Sequence, residues 1–294
     1  MEAVHYFSDP DRALEFVKAL RWPNGNPVCP TCGCLDQSFL KTRRIWKCKG
    51  CKRQFSVKRG TIFEDSPIGF DKWLPCIWLL ANSKNSISSY EAARSLGVSQ
   101  KTAWFMLHRI RLAMESGTFA QLSGTVEVDE TYVGGRGRNV HRSRPIPPKT
   151  AVQGARERGS GKVTAAVVST GELRANVYSW IAPGSTVYTD EARAYWNLGG
   201  WYQHDHVMHQ GPMATRYAKH GIVHTNGIEN FWSVLKRAIK GSQIHVSPAH
   251  LDRYVTEREF AYNFRSESDL SRMAIALAGA PGRRLTYSAL KVRG

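Results

Sequence analysis

Four cysteines constrain this chain more than any other feature. Cys29-Pro-Thr-Cys32 and Cys48-Lys-Gly-Cys51 are two C-x₂-C pairs separated by fifteen residues. Each short turn can present two sulfurs to one ion, and the spacing is that of a structural Zn²⁺ site in which four thiolates close a tetrahedron. Such a site leaves no open position for chemistry, so its work is to fold a segment too small to hold itself together. Five of the six cysteines precede residue 52, a cluster expected of a metal site in a reducing compartment rather than a disulfide framework. Cys34 is a fifth thiol that could compete, but Cys32 keeps the two pairs symmetric. Cys76 stands in an apolar stretch and reads as an ordinary buried thiol. Between the pairs, Ser38 to Lys47 has the aromatic and β-branched content of a hairpin, and Arg53 to Val57 suggests a further strand. Residues 1–60 are therefore expected to form a zinc ribbon with a short N-terminal helix.

Charge narrows the partners. The chain of 294 residues carries a formal net charge of +17. Nucleic acid is the commonest polyanion to match such an imbalance. Seven Lys and Arg between residues 41 and 53 turn the ribbon toward a phosphate backbone. A membrane is the rival surface, but the longest apolar segment, Trp73 to Ala81, is interrupted by Pro75, and no run of membrane-spanning length exists. The acidic N-terminal residues Glu2, Asp9, Asp11 and Glu15 are unlike a secretory signal. A cytoplasmic, nucleoid-associated protein with no membrane partner is the expectation.

Residues 61–118 read as helical. A helix is expected over 66–84, bent or started at Pro75. In Ser88 to Trp104, Ala92, Ala93 and Leu96 share an apolar face, Gly97 supplies a permissive turn, and Ser99 is a good N-cap for a second helix carrying Ala103, Met106, Leu107 and Ile110. That is a helix-turn-helix pattern, and it places Gln100, Lys101 and Thr102 in the first turn of the recognition helix, where base edges and phosphates are met.

From Gly124 the pattern changes to strands. Val126 and Val128 alternate with Glu127 and Asp129. A polar stretch from Gly134 to Gly161, with seven Lys or Arg against one Glu, reads as a flexible basic loop in which Arg136 and Arg138 could guide DNA. Lys162 to Val168 and Leu173 to Trp180 read as two strands joined at Thr170-Gly171. Thr186 to Thr189 is a short third that delivers Asp190, and Glu191 to Trp196 begins a helix. A late amphipathic helix carries Glu229. Adjoining strands, then one beside the first, then a helix bringing a late acid is the element order of a ribonuclease-H-like fold. Separated acids then meet at one sheet edge. Carboxylates that converge in this way suit Mg²⁺ or Mn²⁺ and phosphoryl transfer. Glu127, Glu130 and Glu191 are competing acids. Strand alternation puts Glu127 on the face of Asp129, making it the first spare, and turns Glu130 away. His224 reads as a capping or solvated histidine, with phosphate contact as the alternative. Trp232, Leu235 and Ile239 are expected to pack the late helix onto the sheet.

The chain resembles bacterial insertion-sequence transposases of the DDE class with an N-terminal zinc ribbon, the ISXO-type group related to the Merlin elements of eukaryotes. The resemblance is carried by the cysteine pairs with Arg53-Gln-Phe-Ser-Val57, by Gly60-Thr-Ile-Phe63, by Val128-Asp-Glu-Thr-Tyr-Val-Gly-Gly135 and by Tyr188-Thr-Asp-Glu191. His224-Thr-Asn-Gly-Ile-Glu-Asn-Phe-Trp232 and Glu259-Phe-Ala-Tyr-Asn-Phe-Arg265 complete it, in order along most of the chain. It implies Asp129 and Asp190 as metal ligands. The third is Glu229 or, since the group uses either Glu or Asn there, Asn226, which shares its helix face. Glu229 is preferred because a carboxylate holds Mg²⁺ more strongly than an amide. Lys236, two turns along that face, stands where such enzymes place a cation near DNA.

The expected architecture is a multidomain α+β chain. Zinc ribbon (1–60), helix-turn-helix (61–118), ribonuclease-H-like α/β catalytic domain (119–270) and basic tail (271–294) follow in order. The expected function is binding of terminal inverted repeats, DNA cleavage and joining of 3′ ends to target DNA, by a homo-oligomer assembled on that DNA. A domesticated, non-catalytic DNA-binding regulator and a ribonuclease-H-like nuclease without strand transfer are the alternatives.

Overall fold

The computed structural model describes residues 2–115, 120–134, 148–169, 171–190, 192–207 and 222–291. The chain divides into two compact units, Met1–Ser116 with Glu267–Arg293, and Gly117–Ser266. Among the described residues no helix is long and apolar enough to cross a membrane.

The first unit opens with helices α1 (Glu2–Phe7) and α2 (Pro10–Arg21). Asp9 caps α2 by accepting the N–H groups of Asp11 and Arg12 at 2.9 and 2.8 Å, and Pro10 occupies the first turn, where its missing N–H costs nothing. Strands β1 (Gln37–Leu40), β2 (Ile45–Cys48) and β3 (Gln54–Phe55) form an antiparallel meander in that order. Its small core is aromatic: buried Trp46 meets Trp22 edge-on at 5.2 Å and stacks with Phe55 at 6.0 Å. Helix α3 (Phe70–Asn82) begins at Phe70 and runs through Pro75. Helices α4 (Ser89–Leu96) and α5 (Gln100–Met114) are joined by a turn in which Gly97 has φ 61°. Ser88 and Ser99 cap them, accepting from Glu91 and Thr102 amides at 3.1 and 3.2 Å.

The second unit is built on five strands: β4 (Thr125–Gly134), β5 (Lys149–Glu157), β6 (Val163–Val167), β7 (Thr186–Thr189) and β8 (Gln203–His206). They lie in the order β6-β5-β4-β7-β8, with β6, β5 and β4 successively antiparallel and β7 and β8 parallel to β4. Helix α6 (Leu173–Trp180) covers one face through Val177, against Val126, Val128, Ala155 and Tyr195. Helices α7 (Asn226–Ala238) and α8 (Pro248–Asn263) cover the other through Ile228, Phe231, Trp232, Leu235, Leu251 and Val255, against Val152 and Val163.

Three local expectations are corrected. Lys149–Glu157 is a strand rather than part of a loop. Its Gly154 and Gln153 look like turn residues, yet each answers a contact across the sheet. A Cβ at Gly154 would lie 2.6 Å from Trp232, and the Gln153 amide donates to the Leu173 carbonyl at 2.8 Å. Leu173–Trp180 is a helix rather than a strand. Its Val and aromatic content favours strands locally, but Leu173 and Val177, four apart, are buried on one helical face. After Asp190 the described residues form two 3₁₀ turns, Arg193–Tyr195 and Leu198–Gly200, rather than an α-helix, with Glu191 outside the described residues.

Helices α9 (Asp269–Ala278) and α10 (Tyr287–Lys291) return to the first unit. Ile62 donates its amide to the Ala280 carbonyl at 3.1 Å, Gly282 donates to Gly60 at 2.8 Å, and Arg109 reaches the Leu285 carbonyl at 3.1 Å.

Candidate functional site

The four cysteines of the two C-x₂-C pairs converge. The Sγ atoms of Cys29 and Cys51 are 3.7 Å apart and those of Cys32 and Cys48 are 3.6 Å apart, with all four within 4.8 Å of one another. Four Zn–S bonds of about 2.3 Å in a tetrahedron put sulfurs about 3.8 Å apart, whereas a disulfide needs about 2 Å, so the set has the size for Zn²⁺. Burial raises the Cys29 thiol pKa, but the amides of Thr31 and Cys32 and the neighbouring thiols bond to it and bring it down to about 6. Within the same set the thiols of Cys32 and Cys48 are pushed up instead, so one thiolate stands ready and a bound metal draws off the remaining protons. Cys34 stays outside the group, its sulfur accepting from the Asp36 amide at 3.4 Å.

The acidic cluster follows from the β4–β7 register. Glu127 pairs with Tyr188, so two residues further Asp129 comes opposite Asp190, just beyond the end of β7. Because β7 stops there, the edge of β4 is open, and side chains from both of its faces can turn around it. Carboxylate oxygens of Asp129, Glu130 and Asp190 accordingly lie within 4.8 Å of one another. Asp129 accepts from the Trp232 indole at 2.9 Å, Glu130 from the Tyr195 hydroxyl at 2.6 Å, and Asp190 from the Ala192 amide at 3.0 Å. Burial, then the charge of Asp190, push Asp129 up to about 6 against the indole bond. Burial pushes Glu130 up to about 7, with Asp190 and Asp129 adding to it. Crowded, half-buried carboxylates that resist ionisation are relieved by a hard divalent cation, which the all-oxygen donor set suits.

Two family matches fall on these two clusters. Residues 8–54 match the transposase zinc-ribbon domain and residues 121–263 the ISXO2-like transposase domain. The chain belongs to the zinc-ribbon transposases of insertion sequences. A protein of transposable element ISH50 from Halobacterium salinarum is 28% identical over 259 residues, 81% of this chain and 85% of that one. Among solved structures, a chain of the simian T-cell lymphotropic virus intasome in complex with PP2A regulatory subunit B56 gamma is similar at 11% identity. It covers 61% of this chain and 66% of that one at a TM-score of 0.29, a likeness too slight to bear on the fold.

Other acids of the transposase domain are placed differently from one another. Glu229 is exposed in the first turn of α7, accepts from the Thr225 hydroxyl at 2.9 Å, and is close enough for its charge to act on Asp129. Asn226 is exposed at the first position of the same helix. Glu229 does not belong to the group of three. Glu127, expected as the spare acid, is instead buried in an ion pair. It accepts from Arg158 Nε at 2.7 Å and the Ile228 amide at 2.9 Å, with His224 at 3.3 Å. Glu130 takes its place in the cluster. Alternation does send it to the other face, but at an open strand edge that does not separate it from Asp129.

Trp232 packs α7 onto the sheet and also anchors Asp129, a role its apolar spacing did not announce. Behind Glu130 lies a buried chain of amides and hydroxyl: Asn176 donates to Gln153 at 2.9 Å, and Gln153 to Tyr195 at 3.2 Å. Lys236 lines a cavity on α7. In the first unit Gln100 donates to Ser89 at 2.8 Å, Thr102 bonds Ser99 at 2.8 Å, and exposed Lys101 lies 4.9 Å over the Tyr287 ring. Arg136 and Arg138 lie outside the described residues.

Proposed function

We propose that the chain is a DNA transposase that binds the terminal inverted repeats of its element, cleaves the DNA and joins the 3′ ends to target DNA. The observation that carries the reading is the meeting of Asp129, Glu130 and Asp190 at one strand end inside the matched transposase domain. The sheet order, with three antiparallel strands and two parallel ones beside the first, supports a ribonuclease-H-like catalytic domain. The capped pair α4 and α5 around Gly97 supports a helix-turn-helix, with Gln100, Lys101 and Thr102 at its DNA-facing end.

Asp129 and Asp190 would hold Mg²⁺ or Mn²⁺, with Glu229 as the third ligand and Asn226 as its alternative. When bound, a pair of such ions activates the attacking oxygen and stabilises the leaving one. The chain's own groups orient the rest. The Trp232 indole fixes the Asp129 carboxylate, and Tyr195, whose own pKa is driven up by burial and by Glu130, stays a neutral hydrogen donor to Glu130. Lys236 and the basic segment with Arg136 and Arg138 offer charge to DNA phosphates. Water is the first nucleophile and a DNA 3′-hydroxyl the second, on chromosomal DNA in the cytoplasm, by a homo-oligomer assembled on it.

Asp129→Asn and Asp190→Asn should each bind end DNA and fail to cleave it in either metal. Glu229→Ala should also abolish cleavage, while Asn226→Ala keeps measurable activity; the reverse pattern would move the third ligand to the amide. Cleavage at the parent rate by all four variants would refute the reading. Cutting without joined products would leave a nuclease, and binding without cutting a regulator.

A further inference from the structure

Beyond the carboxylates the second unit holds a cavity of about 360 Å³. Lys149, Lys236 and Lys240 give it positive charge, His245 lines it beside them, Ile239 and Val246 give it apolar surface, and no Asp or Glu lines it. Among the described residues no carboxylate pairs with the three lysines. Helix α7 does not end there in an ordinary cap but runs into a π turn, Ile239–Gln243, closed by the Ile244 amide on the Ile239 carbonyl at 2.7 Å. Such turns cluster at functional sites.

Ile244 then adopts φ 61°, ψ −55°, with the His245 amide 2.6 Å from the Gln243 carbonyl. This is a γ-turn of the rare, strained hand, and a β-branched residue suits it worst. Burial does not compensate for the strain, because the side chain is 80% exposed while lining the cavity. A strained, exposed isoleucine beside cations has the makings of a wedge: such side chains enter between base steps and unstack them.

We infer that this cavity receives an unpaired nucleotide of the DNA strand held at the carboxylates. Its base meets the apolar surface, its phosphates meet Lys236 and Lys240, and Ile244 fills the gap left in the stack. The inference rests on the DNA-cleaving reading above. Spacing supports it: Lys236 is one helical turn, roughly 6 Å, from Trp232, which bonds Asp129. The cavity thus begins about two nucleotide steps of roughly 3.4 Å from a phosphate at the cluster.

The test uses the full-length, metal-loaded protein and a duplex copied from the inverted repeat flanking its coding sequence, with 2-aminopurine placed in turn at positions next to the cleaved bond. The parent should brighten the probe at one position, and Ile244→Gly should not. Glycine relieves the strained turn, so the fold is not at risk, and Ile244→Asn, which also tolerates positive φ, is the second variant. Both should cleave the paired end about tenfold or more slowly, as the cost of unstacking a base implies. Both should match the parent on an end already unpaired at that position. If the parent cleaves but no position brightens, or if the variants cleave paired and unpaired ends as the parent does, the cavity takes no nucleotide while the DNA-cleaving reading stands. A parent that cuts neither substrate in Mg²⁺ or Mn²⁺ overturns both.

Discussion

Gly154→Ala offers the sharpest test of how the acidic cluster is held. Gly154 faces Asp129 across the β4–β5 pair. A methyl group there would lie 2.6 and 2.9 Å from Trp232 Cη2 and Cζ2, and 3.1 Å from Ile228 Cδ1. Carbon atoms pack at about 3.5–4.0 Å, so the indole must retreat by roughly 1 Å. Trp232 is 4% exposed among Val152, Phe231 and Leu235, which leaves it little room, and its 2.9 Å bond to Asp129 would stretch or break. Overpacking costs about 1–3 kcal/mol and a lost bond to a charged group about 1.5–3, which together suggests about 2.5–6 kcal/mol. For a unit of this size that is a fall of roughly 5–24 °C in Tm, readable by calorimetry of the full chain, with metal-dependent cleavage reduced alongside. Trp232→Phe removes the two ring atoms in conflict, so Gly154→Ala should cost less in that background, with a coupling of about 1 kcal/mol or more. A single variant that melts and cleaves like the parent would refute the argument.

Cys48→Ser should lose the bound zinc by elemental analysis and unfold the ribbon while the second unit keeps its melting transition, since structural zinc carries about 10 kcal/mol or more of folding energy in small domains. Lys101→Ala should weaken DNA binding equally for all sequences and lower the salt slope by about 1, whereas a sequence-dependent loss would mean that Lys101 reads bases. Asp129 and Glu130 both bind protons more tightly when folded, at about 6 and about 7 against ordinary values of 3.8 and 4.5. Their stabilising contribution is whole below about pH 4 and lost as pH rises through 6 and 7. Metal-free protein should therefore lose stability from about pH 4 to about pH 7, Asp129→Asn should flatten that fall, and divalent metal should restore stability at the upper end. A parent and variant with parallel pH profiles would contradict this.

Much of the molecule could be read one residue type at a time. Paired cysteines declare a metal ribbon because no other local chemistry needs that spacing. Gly97 and Ser99 mark a turn and the helix after it because caps and left-handed turns act within a few residues of chain. Asp129 and Asp190 stood out because each lies where an apolar, β-branched run ends or alternates. What the sequence could not determine depended on neighbours distant in the chain. Lys149–Glu157 reads as a loop until Trp232 and the Leu173 carbonyl explain its glycine and glutamine. Leu173–Trp180 reads as a strand until the opposing Val126 and Val128 surface selects its helical face. Glu130 and Glu127 exchange roles for the same reason. Periodicity gives the face of a strand on which a carboxylate emerges, but only the pairing partner decides whether the strand edge beside it is closed. With β7 ending at Thr189, the edge at Asp129 is open and Glu130 joins the cluster; nearer the start of β4, where Tyr188 of β7 still pairs with it, Glu127 is buried by Arg158 and the start of α7 instead.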